Sequence, residues 1–179
     1  MLDGEEKIIR SAIRGESSAF GELYDHYHPQ IYRFVLVKVT RREEAEDLTH
    51  QVFLNAWQNI GSYKHLGHPF SSWLYQIARN LVIDHYRTKK PDVPLDDVTE
   101  DRAPIGGNTE ARTDVRLELQ KVMEVLAKLK PSYQDIILMR FVEELSLKEV
   151  AAAIGKSEGA VKLLQHRAVR QLKQELGRE

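Results

Sequence analysis

Apolar side chains recur at intervals of three and four residues along most of the chain, the period of an amphipathic α-helix. The clearest case is the segment 18–39, where the recurring positions are Phe20, Leu23, Tyr24, Tyr27, Ile31, Phe34 and Val35. The same period predicts further helices at about 5–14, 41–59, 70–87, 113–129, 132–142, 146–154 and 157–176. No convincing strand pattern is found. The sequence therefore predicts an all-α fold.

The helical pattern is interrupted at 88–112. The segment PDVPLDDVTEDRAPIGGNTEA contains three prolines, a pair of glycines and many acidic residues. This composition is typical of a linker, because it offers little apolar surface to bury. We expect a first helical domain at 1–88, a flexible acidic linker at 89–112 and a second helical domain at 113–179.

Several predicted helices carry signals at their ends. Thr40 is followed three residues later by Glu43, which predicts a capping box at the start of the third helix. Pro131 suits the first turn of a helix, where its missing N–H costs nothing.

The segment SLKEVAAAIGKSEGAVKLLQHRAVRQLKQEL, from Ser146 to Leu176, predicts two helices joined by a sharp turn. Ser146 and Glu149 form a second capping-box signal, and Ser157 suits the N-cap of the following helix. Gly155 between them can adopt the positive φ of a tight turn. Together these features indicate a helix-turn-helix that binds duplex DNA in the major groove. The alternative is a structural helical hairpin with a solvated basic face.

The second helix of this pair has two distinct faces. Its apolar face, predicted to pack inward, consists of Val161, Leu164, Ala168 and Leu172. The opposite face, whose cations suit phosphates and guanine edges, consists of Lys162, Leu163, His166, Arg167 and Arg170.

The segment HPFSSWLYQIARNLVIDHYRTKK, at 68–90, interleaves aromatic and basic residues. Aromatic rings can stack on exposed nucleobases while the cations hold phosphates, which favours contact with single-stranded nucleic acid. The alternative is that Trp73 and Leu74 belong to the core and the basic tail is solvated. The predicted helix at 43–60 also has an apolar face. Its periodicity alone favours the interpretation that the opposite, polar face is merely exposed to solvent.

Three motifs resemble the extracytoplasmic-function (ECF) subfamily of bacterial RNA polymerase sigma factors. They are EAEDLTHQVFLNAW, then FSSWLYQIARNLVIDHYR, and then a helix-turn-helix that begins ELSLKEVA, and the resemblance covers about 18–88 and 115–176. It implies a protein that binds core RNA polymerase, directs it to promoters and helps to open the DNA. The first motif would dock on the polymerase, the second would bind the melted minus-ten element, and the helix-turn-helix would bind the duplex minus-thirty-five element.

The resemblance also implies roles for individual residues. The polymerase-facing candidates are Asp47, Gln51 and Asn55. The minus-ten candidates are Trp73, Arg79, Asn80 and Arg87. The minus-thirty-five candidates are Lys162, Leu163, His166, Arg167 and Arg170. Leu163 stands where many members of the family carry a polar residue, and it could contact a thymine methyl group.

Charge and composition are compatible with this interpretation. Lys and Arg total 26 against 27 acidic residues, but the charge is segregated. Six bases and two acids lie in 156–178, whereas seven acids and two bases lie in 91–114. A sigma factor shares its DNA contacts with the polymerase, so a neutral chain does not exclude DNA binding.

Other features restrict the alternatives. The chain has no cysteine and no apolar stretch at its start, so we expect a cytoplasmic protein without membrane insertion. No motif predicts an enzyme, a cofactor or a metal site. A response-regulator-type helix-turn-helix regulator would need a receiver domain, whose alternating strands and helices are missing from 1–90. A helical adaptor that binds only protein remains a second alternative, and an anti-sigma factor is a candidate partner that the sequence leaves open.

Overall fold

The computed structural model describes residues 4–39, 41–64, 69–88 and 124–177, and the regular structure in these ranges is entirely helical. The N-terminal domain consists of α1 (Glu5–Ile13), α2 (Ser17–Val39), α3 (Arg42–Asn59), a 3₁₀ turn (Ile60–Ser62) and α4 (Phe70–Thr88). The C-terminal domain consists of a helical segment at 124–128, α5 (Pro131–Ile137), a π-helical turn (Leu138–Val142), α6 (Leu147–Ile154) and α7 (Glu158–Leu176). An all-α fold with two helical domains is therefore confirmed. The linker predicted at 89–112 lies outside the described residues.

Helix α2 forms the centre of the N-terminal domain, where α1, α3 and α4 all pack against it. Leu23 and Ile31 on this helix are completely buried, and the Phe34 ring meets the Tyr75 ring of α4 edge-on at 5.2 Å. Pro29 lies inside α2 and removes one backbone donor from its ladder. The helix nevertheless continues for another ten residues to Val39, because tertiary packing on three sides outweighs the lost hydrogen bond.

The start of α3 differs from the prediction. Thr40 lies outside the described residues, so the capping box predicted for it is not observed. The N-cap residue of the helix is Arg41, in an extended conformation and without a side-chain cap hydrogen bond. Glu43 and Glu44 in the first turn favour this helix end through their interaction with the helix dipole.

The predicted helix-turn-helix is confirmed in its local geometry. The Ser146 side chain accepts a hydrogen bond from the Glu149 N–H at 3.2 Å, and the Glu149 carboxylate accepts one from the Ser146 N–H at 2.5 Å. Gly155 has φ 66°, the left-handed conformation that the turn requires. The Ser157 hydroxyl caps α7 by accepting from the Ala160 N–H at 3.2 Å.

The two domains are in contact. Helix α4 of the N-terminal domain packs against α6 of the C-terminal domain, and buried side chains of both domains form one continuous hydrophobic cluster. We call this arrangement the closed form. It places the C-terminal domain beside the helix predicted to bind the minus-ten element.

Candidate nucleic-acid and protein-binding surfaces

The two faces of α7 are separated as predicted. Val161 and Ala168 are completely buried, and Leu164 and Leu172 pack partly buried against the same core. The candidate DNA-binding residues on the other side are all exposed: Lys162, Leu163, His166, Arg167 and Arg170. Within the described residues, Lys162, Arg167 and Arg170 form no ion pair. A cationic helix face is therefore available for a DNA groove.

Phe141 lies beside this exposed face. Its ring is 52% exposed and forms one wall of an open groove, to which Lys162, His166 and Arg170 contribute. Leu163 and Arg167 do not line the groove. Leu163 is also 52% exposed, so its side chain is accessible for an apolar contact.

The polymerase candidates on α3 form a polar strip. Asp47 and Gln51 are exposed, Asn55 is half-buried, and the Gln51 amide donates a hydrogen bond to the Asn55 side-chain oxygen at 2.8 Å. Leu54 lies beside them with 48% of its surface exposed, a feature that sequence reasoning missed. Val52 on the opposite side of the helix is completely buried. Helix α3 thus packs on the core through Val52, and its exposed side combines polar groups with one large apolar side chain.

Trp73 belongs to an aromatic cluster on the N-terminal domain. Its ring centroid lies 5.3 Å from that of Tyr63 and 5.4 Å from that of Phe70. Phe70 is buried whereas Trp73 is half-buried, so the cluster presents part of one indole ring at the surface. Burial raises the pKa of the Tyr63 hydroxyl to about 12, so this ring stays neutral.

The other minus-ten candidates on α4 have different surroundings. Asn80 and Arg87 are exposed, and Arg87 makes a long ion pair of 3.7 Å with Asp84. Arg79 is not free in the closed form, because its Nε lies 2.9 Å from Oδ2 of Asp135 in the C-terminal domain. The sequence gave no sign of this partner.

Asp135 also binds a second cation of the N-terminal domain. Its Oδ1 lies 2.5 Å from the Lys38 ammonium, and both side chains are only 4% exposed. The same ammonium donates to the Pro131 carbonyl at 3.4 Å. Lys38 and Asp135 were missed by sequence reasoning, although Lys38 lies inside the apolar run FVLVKV and Asp135 directly precedes the apolar run IILM. Such isolated charges were the available signal, because a charge is rarely buried unless it is paired.

A further ion pair joins the domains near Tyr75. The Arg33 guanidinium contacts the two carboxylate oxygens of Glu143 at 3.1 Å, and the Tyr75 hydroxyl lies beside the same carboxylate. Burial raises the pKa of Glu143, and the neighbouring Arg33 lowers it in part. Burial is the larger effect, so the ionised carboxylate is not fully compensated in the closed form.

Within the described residues, no group of histidine and acidic side chains is arranged to hold a metal ion. None of the helices in the described part of the chain combines the length and the apolar character needed to cross a membrane.

Comparison with known proteins identifies both domains. The family model for sigma-70 region 2 matches residues 23–91, and the model for sigma-70 region 4 matches residues 125–174. The ECF RNA polymerase sigma factor SigW of Bacillus subtilis is 32% identical over 96% of this chain and 96% of its own length. The ECF sigma factor BldN of Streptomyces coelicolor is 37% identical over 93% of this chain, which spans 63% of that longer protein.

A solved structure has a similar fold. It is the sigma factor RpoE in complex with the anti-sigma factor NepR from Bartonella quintana, which superposes with a TM-score of 0.71 at 22% identity. The match covers 88% of this chain and 96% of RpoE.

Proposed function

Because the chain belongs to the ECF family of RNA polymerase sigma factors, we propose that it binds core RNA polymerase and directs initiation at a specific set of promoters. The observation that carries this proposal is the combination of both sigma regions with exposed polar or cationic surfaces on α3, α4 and α7. These surfaces correspond to the three contacts that such a protein must make.

The polymerase contact is assigned to α3. Asp47, Gln51 and Asn55 provide hydrogen-bonding groups, and exposed Leu54 provides an apolar anchor among them. A buried apolar residue surrounded by a polar rim is the usual composition of a protein interface. The hydrogen bond between Gln51 and Asn55 fixes both amides before the partner arrives, which lowers the entropic cost of binding.

The minus-ten contact is assigned to α4 and the aromatic cluster before it. Trp73 provides a partly exposed ring against which a base can stack, held in place by Tyr63 and Phe70. Exposed Asn80 can both donate and accept a hydrogen bond, so it can recognise the edge of an unstacked base. Arg87 and Arg79 would then hold phosphates.

The minus-thirty-five contact is assigned to α7. The positions of Lys162, His166 and Arg170 along one stripe of the helix suit phosphates and base edges at successive turns. Arg167 can make a bidentate contact to guanine, and Leu163 can pack against a thymine methyl group.

The remaining parts of the assignment follow from the same family. Residues 1–88 and 113–179 would act as separate DNA-binding domains, with 89–112 as the acidic connection between them. The protein would work in the cytoplasm, without a catalytic step or a cofactor of its own. Since RpoE was solved with an anti-sigma factor, a protein of that kind is a candidate regulator of this chain.

The decisive experiment is transcription in vitro from a genomic DNA library, with core RNA polymerase in the presence and absence of the full chain. We expect new transcripts that start at sites sharing two sequence elements. A response-regulator-type protein would bind DNA without core polymerase and would give no transcripts from core enzyme alone. The absence of any chain-dependent transcript, together with no binding to core polymerase, would refute the proposal.

A further inference from the structure

Lys38 and Arg79 converge on one carboxylate in the closed form. They come from different helices, α2 and α4, and each contacts a different oxygen of Asp135, at 2.5 and 2.9 Å. Asp135 is the only carboxylate within ion-pair distance of either cation in the described part of the chain. The N-terminal domain thus provides two cations for one anion, and the C-terminal domain provides that anion.

This arrangement leaves two like charges together whenever the domains separate. The backbone of Lys38 is held by its own helix and by Tyr86 of α4, whose hydroxyl donates to the Lys38 carbonyl at 2.5 Å. Both cations thus belong to the N-terminal domain, whereas Asp135 and the Pro131 carbonyl that the Lys38 ammonium also meets belong to the C-terminal domain. Two neighbouring cations without an anion repel each other, so the open site would favour another anion.

The anion that best matches the open site is a phosphate diester. A diester phosphate carries one negative charge on two oxygens, as a carboxylate does, and an arginine and a lysine are the side chains that bind both groups. Arg79 lies one residue before the exposed Asn80, on the helix assigned to the minus-ten element. A DNA strand held by Asn80 would run along the same helix that carries Arg79.

We propose that Lys38 and Arg79 form an anion site that Asp135 fills in the closed form and a DNA backbone phosphate fills after the C-terminal domain has moved away. The proposal rests on the proposed function, because it takes the DNA to be promoter DNA bound by α4. Asp135 is then an internal competitor of DNA, and the closed form is the form with the lower affinity for it. The closed contact is readily exchanged, since desolvation offsets much of the attraction within a buried ion pair.

The first test measures binding of the full chain to a fluorescein-labelled dT20 oligonucleotide by anisotropy, over a series of salt concentrations. This probe offers phosphates without sequence. Asp135→Asn should bind more tightly than wild type and should steepen the log–log salt dependence by about 0.7 to 1.4, for one or two additional phosphate contacts. Adding Lys38→Met to Asp135→Asn should remove about half of that increase. Asp25→Asn, the same substitution at an exposed site on α2, is the matched control for the loss of one negative charge.

The second test reports the opening itself. The chain contains no cysteine, so Gln58→Cys and Lys156→Cys would place one dye on each domain, at exposed positions. Energy transfer between the dyes should fall in Asp135→Asn and remain unchanged in Asp25→Asn. An opened Asp135→Asn that binds dT20 no better than Asp25→Asn would overturn the anion site. A closed Asp135→Asn with unchanged binding would overturn the role of Asp135.

A third measurement does not depend on the folding of Asp135→Asn. In the holoenzyme on a promoter recovered from the library, Lys38→Met should lower the salt dependence of promoter binding by about 0.7 to 0.9, and Lys38→Arg should retain it. An unchanged salt dependence in Lys38→Met would also overturn the proposal. If the wild-type chain supports no transcription, the proposed function fails, while the dT20 and energy-transfer results still decide whether Asp135 competes for an anion site.

Discussion

Gly155 sets the turn between α6 and α7, and its replacement by alanine tests the structural basis of the helix-turn-helix. The residue has φ 66° and ψ 41°, and the following N–H of Lys156 donates back to the Ala151 carbonyl at 3.0 Å. This is the pattern of a glycine-terminated helix, in which the left-handed residue allows the last carbonyls to be satisfied. An added Cβ would meet no atom within 4 Å. The cost of Gly155→Ala is therefore conformational and not steric.

The conformational cost of Gly155→Ala has two opposing parts. The left-handed conformation is less favourable for an L-residue with a Cβ by about 1–2 kcal/mol. Alanine recovers part of this, about 0.4–1 kcal/mol, because it restricts the unfolded chain. We expect Gly155→Ala to lower the free energy of unfolding by about 1 kcal/mol, measured by urea titration with far-ultraviolet circular dichroism. Tryptophan fluorescence should follow the N-terminal domain, because Trp57 and Trp73 lie on α3 and α4.

Gly159→Ala provides the matched control. Gly159 lies in the first turn of α7 without a positive φ, and an added Cβ there also meets nothing within 4 Å. The same chemical change should stabilise the protein by up to about 1 kcal/mol, because alanine is the better helix former. Gly155→Asn should lie between wild type and Gly155→Ala, since asparagine tolerates the left-handed region. Equal stabilities of Gly155→Ala and Gly159→Ala would show that the turn does not depend on the positive φ.

Four further outcomes are expected. Asp47→Arg should leave helicity intact, because the residue is exposed, and should reduce co-purification with core polymerase. If the variant co-purifies as well as wild type, α3 is not part of the interface. Arg167→Ala should weaken promoter binding by about 1–3 kcal/mol, with loss of upstream protection in footprints of the holoenzyme. Asn80→Ala should impair promoter opening, and wild-type permanganate reactivity with unaltered base preference would exclude it from the mechanism. The pKa of Glu143 is raised above its ordinary value of 4.5. Its contribution to the stability of the closed form is therefore present below pH 4.5 and is lost as the pH rises through the raised pKa. Glu143→Gln should thus be at least as stable as wild type at pH 7 in urea titrations, and a loss above about 1 kcal/mol would show that the pairing with Arg33 dominates.

The features that the sequence predicted well depend on residues close together in the chain. Ser146, Glu149, Gly155 and Ser157 act within a few residues of one another, so their hydrogen bonds and dihedral angles follow from local propensities. The two faces of α7 follow from the helical period alone. The same kind of local signal was wrong at the start of α3, where Arg41 and not Thr40 occupies the N-cap position.

A π-helical turn follows α5 directly. The sequence predicted one continuous α-helix at 132–142, but the chain forms a π turn from Leu138. One extra residue per turn rotates the following side chains by about 100°, the angle that each residue spans in an α-helix. Phe141 and Val142 in this turn are 52% and 46% exposed. Phe141 also lines the groove beside α7, a feature that the helical period of 132–142 does not indicate.

The contacts between the domains could not be predicted, because they join residues far apart in the chain. Arg79 and Asp135 are 56 positions apart, and Arg33 and Glu143 are 110 positions apart. Helical periodicity places each of these residues on a helix but contains no information about which helices meet. The charges of Lys38 and Asp135 beside apolar runs indicate that each needs a partner, but the sequence does not identify which residue that partner is.

The distribution of these ion pairs has a consequence for the order of promoter contacts. Lys162, Arg167 and Arg170 on α7 make no ion pair within the described residues, so the duplex contact has no internal carboxylate to displace. Arg79 on the minus-ten side is bound by Asp135 in the closed form, at 2.9 Å. It follows from the proposed anion site that the chain can make its duplex contact while closed, whereas its minus-ten contact becomes complete only after the domains separate. The near-equal numbers of acidic and basic residues thus do not describe the surface that DNA meets, because that surface changes when the interdomain ion pairs break.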